Sequence, residues 1–365
     1  MENPLARDLD YVLSRTQYLW EAMRGQRIFI TGGTGFFGRW LLESFVWANR
    51  KLDLKAEAVV LTRSSSAFIA KAPQLALADE IHLLEGDVRT FRFPEGRFSY
   101  VIHAATDASV KLIAESPLEM GDTILQGTRR VLDFACKQPI QSFLFTSSGA
   151  VYGKQPPELL NIPETYRGGP DFLDPGTVYA EGKRTAELFC AIYAQKLGVP
   201  VKIGRCFAFV GPYLPLDIHF AIGNFIRDGI KGGPIVVMGD GTSFRSYLYA
   251  ADLAIWLWTV LFRGQIGTAY NIGSPEAISI GDLANQVAHS FDPPIPVVML
   301  KAPIAGKPAE RYVPDVHKCI QELDLNTWIL LPEAISRTIE WVRCMPEPPH
   351  HKFDEGNLDD KESHS

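Results

Sequence analysis

Cysteine is scarce and unpaired in this sequence. Five residues of 365 carry a thiol (Cys136, Cys190, Cys206, Cys319 and Cys344), an odd number with no C-x-x-C spacing. That speaks against a disulfide framework and suits a reducing compartment, so a cytoplasmic location is expected. The eight histidines show no metal-ligand spacing, and the His350-His351 pair sits in a polar tail, so no metal is expected. Basic blocks are also missing. A net charge of −6 without a Lys/Arg run leaves nucleic acid an unsuitable partner. No apolar run reaches bilayer length. The most apolar helical stretch, Leu248 to Phe262, contains Asp252 and is too short to span, so no membrane partner is expected. The N-terminus lacks a basic segment followed by an apolar core, so no signal peptide is expected. One absence is chemical: after the hydroxyl row "FTSS" (145–148) come Gly149 and Ala150, neither of which can carry a proton.

What is present is ordinary globular composition, 46% hydrophobic and 21% charged, in a chain long enough for one large α/β unit and a smaller lobe. Residues 5–23 have apolar positions near helical spacing and are expected to form an amphipathic helix packed on the outside. Short β-rich runs follow at 27–31, 56–62, 81–87, 99–105, "SFLFT" and 201–205. Helical patterns lie between them, notably "PLEMGDTILQGTRRVLDFACK" and "YAEGKRTAELFCAIYAQKLG". Strands alternating with helices at this spacing predict βαβ units, hence a Rossmann-type, doubly wound parallel sheet. After residue 206, proline, glycine and short apolar runs predict a smaller C-terminal substrate-binding lobe. The expected organisation is a helical extension over 1–25, a dinucleotide-binding domain over 26–206, a lobe mainly over 207–345 interleaved with it, and a disordered tail over 346–365.

"ITGGTGFFG" places Gly32, Gly35 and Gly38 directly after a strand and at the start of a helix. Glycines let the backbone turn tightly and approach a pyrophosphate, while the helix N-terminus offers free N–H groups. Thr34, Phe36 and Phe37 complete this candidate cradle. At the end of the second strand, an acid would bind the ribose 2′-hydroxyl of NAD; here stand Thr62, Arg63, Ser64, Ser65 and Ser66. A guanidinium with hydroxyls suits a 2′-phosphate, which favours NADP(H) over NAD(H). Asp87, followed by Val88, is a candidate to accept from the adenine amino group or simply to form a turn. "HAAT" (103–106) would carry Ala104 and Ala105 past the cofactor.

"YAEGK" puts Tyr179 and Lys183 on one helix face. A nearby ammonium stabilises a phenolate, so the expectation is a tyrosine with a lowered pKa acting as general acid or base.

Taken together, "TGGTGFFG", "GDV", "HAA", "TSSGAVYG", "YAEGK", "GRCFAFVGP", "GDGTSFRSYLYAADLA", "YNIGS" and "RYVPD" resemble the extended short-chain dehydrogenase/reductases, specifically the nucleotide-sugar epimerase/dehydratase group. The resemblance runs from about Arg27 to about Val342. It implies a catalytic set of Ser148, Tyr179 and Lys183, with Ser148 hydrogen-bonding the sugar C4 oxygen. It also implies diphosphate contacts from Arg245 and Arg311, a substrate contact from Asn224, and a homodimer through helices at 117–136 and 179–197. Two positions depart from the family pattern, Ile124 and Ala208, each where asparagine is usual.

The resemblance leaves the reaction open. The 4,6-dehydratases of the group carry an Asp-Glu pair where this chain has Gly149 and Ala150, and its decarboxylases carry Glu at the second position. Dehydration and decarboxylation are therefore not expected. An NADP(H)-dependent reductase of a nucleotide-linked 4-keto-(6-deoxy)hexose is expected, on the strength of Arg63. An NAD-dependent 4-epimerase is the alternative. A non-catalytic NADP-binding protein would be marked by loss of Tyr179 or Lys183, and both are present.

Overall fold

The structure is a computed structural model that describes residues 3–106, 115–218 and 220–344. The expected disordered tail and the His350-His351 pair lie outside the described residues. Six strands lie in the first half, all but β3 and β4 separated by helices: β1 (Arg27–Thr31), β2 (Glu57–Thr62), β3 (Ile81–Glu85), β4 (Tyr100–His103), β5 (Ser142–Ser148) and β6 (Val201–Cys206). Short strands follow: β7 (Phe209–Val210), β8 (Ile235–Val237), β9 (Phe244–Arg245), β10 (Leu248–Tyr249), β11 (Ala269–Ile272), β12 (Ile278–Ser279), β13 (Val297–Met299) and β14 (Arg311–Tyr312). The main sheet has seven strands in the order β11-β6-β5-β4-β1-β2-β3, all pairs parallel. This is the Rossmann-type doubly wound sheet expected from the βαβ rhythm. Its order reverses between β1 and β4, and the carboxyl ends of strands beside such a switch form a ligand crevice.

Helices cover both faces, so the strands are buried on both sides and read as continuous apolar runs. In β5 all seven residues are buried; Leu144 faces one core, while Phe143 and Phe145 face the other. The helix Ala250–Arg263 is almost wholly enclosed against the first face, which explains its apolarity without a membrane. Among the described residues no helix is long and apolar enough to cross a bilayer.

The N-terminal segment differs from the expected outer helix. Its α-helix spans only Ala6–Thr16 and continues as a 3-10 helix, Gln17–Met23. Leu9, Val12, Trp20 and Met23 sink into the main core, and the Trp20 indole lies 4.7 Å from that of Trp258. The tighter 3-10 turn rotates Trp20 inward, where its N–H donates to Thr16 Oγ1 at 2.9 Å. Polar ties fix the same segment. Asp8 accepts from Tyr249 Oη at 2.5 Å and pairs with Arg337. Asp252 accepts from Tyr11 Oη and from the N–H groups of Trp328 and Ile329.

The later strands form small sheets beside the carboxyl end of the main one. β12-β9-β14 is three-stranded, with Phe244 opposite Arg311 and Arg245 opposite Tyr312 in the parallel β9–β14 pair. β11, from the middle of this half of the chain, returns to the main sheet against β6.

Candidate active site

The glycine loop follows β1 and opens the helix Phe36–Leu52, whose N-cap, Gly35, makes no side-chain capping bond. The first N–H groups of that helix are left for a ligand. The three glycines serve different ends. Gly32 has φ +74°, and a Cβ there would stand 2.4 Å from the carbonyl of Ala104. The loop is therefore pressed directly onto the end of β4, which is where Ala104 and Ala105 lie. A Cβ on Gly38 would meet Gly32 O at 2.3 Å, so it lets the helix close on the loop. A Cβ on Gly35 would meet nothing nearer than 3.5 Å; its bare face looks into the crevice. Open space over an uncapped helix start fits a pyrophosphate, so the residues present suit a dinucleotide. Phe37 packs edge-on against Phe209, 5.1 Å away, and Phe36 against Phe37. Val88 is buried with its side chain against Gly127 of the helix Pro117–Cys136, so only its backbone can face the crevice.

At the end of β2, Arg63 is exposed and has no hydrogen-bond or ion-pair partner among the described residues. Ser64 Oγ caps the next helix by accepting from Ala67 N–H at 3.1 Å. Two acids stand nearby: Glu85 accepts from Ser65 N–H at 3.0 Å, and the Asp87 carboxylate feels the Arg63 charge. Asp87 is engaged by Arg89, through side-chain bonds of 2.9 and 2.7 Å and one from the Arg89 N–H. The Arg89 guanidinium holds its pKa below the ordinary range. This is the arrangement of a turn-forming Asp.

β5 ends in the hydroxyl row, and strand alternation separates its members. Ser147 Oγ donates to Glu187 at 2.6 Å, and Glu187 also holds the Arg205 guanidinium at 2.7 Å, so Ser147 belongs to a structural network. Ser148 Oγ faces the other way and accepts from Ala150 N–H at 3.1 Å, and its hydroxyl acts on the Tyr179 phenol, drawing its pKa down. Tyr179 and Lys183 come from the helix Val178–Leu197. Lys183 Nζ donates to Thr146 O at 2.8 Å, 4.7 Å from the Phe145 ring centre. Burial lowers its pKa to about 8.

Tyr179 departs from expectation. Its pKa is not lowered but pushed up to about 12, mainly by burial, with the Ser148 hydrogen bond pulling weakly the other way. The i, i+4 spacing puts the pair on one helix, and the Lys183 ammonium is bound to the Thr146 carbonyl. Tyr179 is thus held as a neutral phenol, ready to donate.

Around this centre stand groups that spacing did not reveal. His103, at the end of β4, bridges Thr31 Oγ1 at 2.7 Å and Thr128 Oγ1 at 3.0 Å, and burial holds it neutral with a pKa of about 3. Cys206, beside Ser148 in register, keeps a neutral buried thiol. Tyr312 packs its ring 4.7 Å from that of Phe207, tilted, and its phenol feels the Ser148 hydroxyl. A Cβ on Gly149 would lie 2.7 Å from both the Phe207 ring and Tyr312 Oη. The lack of an acid there is also a lack of room for any side chain.

The arginines divide by strand face. Arg245 is the register partner of Tyr312, and its charge reaches that phenol. Arg311, one residue before Tyr312, turns to the opposite side: it stacks over Phe244 at 4.5 Å and donates to Leu160 O at 3.1 Å. The structure does not bring Arg311 to Ser148. Asn224 lies on the helix Ala221–Ile230, where its side-chain oxygen accepts from Arg227 at 3.1 Å.

Comparison with known proteins adds the following. A family model described as NAD dependent epimerase/dehydratase matches residues 28–273. A UDP-glucuronic acid decarboxylase 1 from Arabidopsis thaliana is 30% identical over 323 residues, 87% of this chain and 70% of that one. A protein of the same name from Xenopus tropicalis is 27% identical, with 87% and 72% covered. Among solved structures, a UDP-N-acetylglucosamine 4-epimerase from Methanobrevibacter ruminantium M1 superposes with TM-score 0.75 at 21% identity, over 88% of this chain and 99% of that one. The dTDP-glucose 4,6-dehydratase DesIV from Streptomyces venezuelae, with NAD bound, gives 0.72 at 24%, over 87% and 97%. At these identities the structural matches carry the fold.

Proposed function

The chain belongs to the NAD-dependent epimerase/dehydratase family of extended short-chain dehydrogenase/reductases, and from that premise we propose that it is an NADP(H)-dependent reductase of a nucleotide-linked 4-keto-(6-deoxy)hexose. The observation that carries the reading is the closed space at Gly149, next to Ser148, with no acid or base at Gly149 or Ala150. Elimination and decarboxylation in this family draw on a carboxylate at those positions, and here the first is closed by Phe207 and Tyr312. The likeness to decarboxylases therefore supports the family rather than their reaction.

The dinucleotide, when bound, supplies the hydride. Gly32, Gly35 and Gly38 would hold its pyrophosphate, with Ala104 and Ala105 along its path and Arg63 and Ser64 at its adenosine end. Ser148 orients the C4 carbonyl oxygen. As the carbonyl carbon takes the hydride, its π electrons move onto oxygen, which takes the proton from Tyr179 Oη. Lys183 keeps a positive charge near the resulting phenolate. Arg245 and Asn224 are the substrate contacts on the lobe side, and Arg311 would reach a diphosphate only from the opposite strand face. A homodimer is proposed through the exposed Leu188, Ile192 and Leu197 of the helix Val178–Leu197, and a cytoplasmic location goes with the free thiols.

A second reading has its own observation. Glu85 and Asp87 stand beside Arg63, and carboxylates there suit a ribose 2′-hydroxyl, hence NAD and a 4-epimerase. One experiment separates the two. Purified protein should oxidise NADPH with a nucleotide-linked 4-keto-6-deoxyhexose. Retained NAD⁺, released on denaturation and identified by mass spectrometry, together with C4 inversion and no net NADPH use, would establish the epimerase instead.

A further inference from the structure

Ser148 is flanked by two phenols, one on each side of the crevice. Tyr179 comes from the main domain and Tyr312 from β14 of the lobe; Tyr312 Oη stands 2.7 Å from where a Cβ on Gly149, the residue after Ser148, would lie, and the Ser148 hydroxyl draws down the pKa of both phenols. A serine hydroxyl has one proton and two acceptor sites. The Ala150 N–H fills one acceptor site at 3.1 Å. The second is left for a donor, and Tyr312 is placed to supply it. Its ring is fixed against Phe207, and its Oη occupies the space directly over the Gly149 Cα. With both acceptor sites filled, the Ser148 proton can only point away from them into the crevice, where it serves the C4 oxygen first and the Tyr179 phenolate once the phenol proton has left.

We propose that Tyr312 is a positioning residue of the catalytic centre, fixing the direction of a hydrogen-bond chain that runs from Tyr312 Oη through Ser148 Oγ to Tyr179 Oη. The chain ends at the group that gives up its proton. Each donor along it stabilises the negative charge that Tyr179 acquires when the proton leaves. Burial raises the Tyr312 pKa, so Tyr312 keeps its proton and remains a donor throughout. The bare Gly149 belongs to the same device, because a Cβ at 2.7 Å would displace the Tyr312 hydroxyl. Arg245, in register beside Tyr312, brings a positive charge to the same side.

The proposal rests on the reading that Ser148 and Tyr179 move the proton, so it is tested with and without turnover. Tyr312→Phe keeps the ring and its packing. It should lower kcat about tenfold, the size of one hydrogen bond between neutral groups, with KM and dinucleotide affinity unchanged. Gly149→Ala should cause a similar loss, and the double variant should lose no more than the worse single one. A wild-type kcat in Tyr312→Phe, or a rise in KM alone, overturns the proposal. The second readout is the ¹³Cζ tyrosine NMR signal of the full chain. The Tyr179 resonance, assigned by its loss in Tyr179→Phe, should move in Tyr312→Phe. An unmoved resonance overturns the chain of hydrogen bonds whatever the substrate. A moved resonance in a protein that reduces no keto sugar keeps the chain and removes the reductase reading.

Discussion

The glycine loop permits a test in which two chemically identical changes have opposite signatures. Gly32→Ala places a methyl group on a backbone at φ +74°, and 2.4 Å from the Ala104 carbonyl. The left-handed conformation alone costs about 1–2 kcal/mol for an L-residue. The neighbour is main chain, which cannot swing aside, so the loop must lift from β4 at a further cost of about 1–3 kcal/mol. Gly35→Ala differs. Gly35 is extended, at φ −82°, and its nearest neighbour would be 3.5 Å from the new methyl, so only a small helix-capping loss of about 0.5 kcal/mol is expected. The methyl would instead stand where the backbone must approach a pyrophosphate. Thermal melts and titration of NAD(P)H fluorescence on each variant read the two effects separately. Gly32→Ala should melt well below wild type, and Gly35→Ala should melt near it while binding the dinucleotide at least about tenfold more weakly. Wild-type stability in Gly32→Ala would refute the close packing of loop on strand. Wild-type dinucleotide affinity in Gly35→Ala would refute the path assigned to the pyrophosphate.

Tyr179→Phe should leave dinucleotide binding intact and abolish turnover; residual activity near wild type would remove its role as acid. Arg63→Ala should weaken NADPH more than NADH in equilibrium titrations, and equal losses would take away the basis for NADP(H). Asp252 is fully buried, and burial raises its pKa from 3.8 to about 7. Between those two values the native carboxyl keeps a proton that the unfolded chain gives up. Its stabilisation is therefore full below about pH 4 and falls away up to about pH 7, by about 4 kcal/mol in total. In Asp252→Asn the amide oxygen can still accept from the Trp328 and Ile329 N–H groups, so urea unfolding should show the variant gaining on wild type between pH 5 and pH 8; a constant difference across that range would refute the shift.

The sheet was legible because both faces of each strand are buried, which makes a β-rich run between helical patterns hard to read as anything else. The N-terminal segment was harder. Leu9, Val12, Leu19 and Trp20 fit a single helical stripe, but the 3-10 turn after Thr16 puts Trp20 in the core, and nothing in the local spacing marks that tightening. At β14 the difficulty was parity. Arg311 and Tyr312 are neighbours on a strand, so their side chains turn to opposite faces, and the local sequence does not say which of the two meets Ser148. The register with β9, which places Arg245 opposite Tyr312, settles the faces, and register between residues 67 apart in sequence is not written in either segment. The Tyr179 pKa was missed for a related reason. An i, i+4 lysine is visible in sequence, while the burial that outweighs it exists only in the folded chain.

Gly149 shows how these levels interact. In sequence it registers only as a missing acid. In the structure it is the point where β5 of the main sheet meets Phe207, from the turn after β6, and Tyr312, from β14 of the lobe. The chemistry at that point is set by three segments far apart in the chain, so no single substitution installs a carboxylate there: an aspartate at 149 has no volume to enter until both rings move. Moving Tyr312 in turn removes the donor that orients Ser148. The closed space at Gly149 and the directed hydroxyl at Ser148 are thus two consequences of one packing arrangement, and a change of reaction at this centre would require the lobe to be rebuilt along with the strand end.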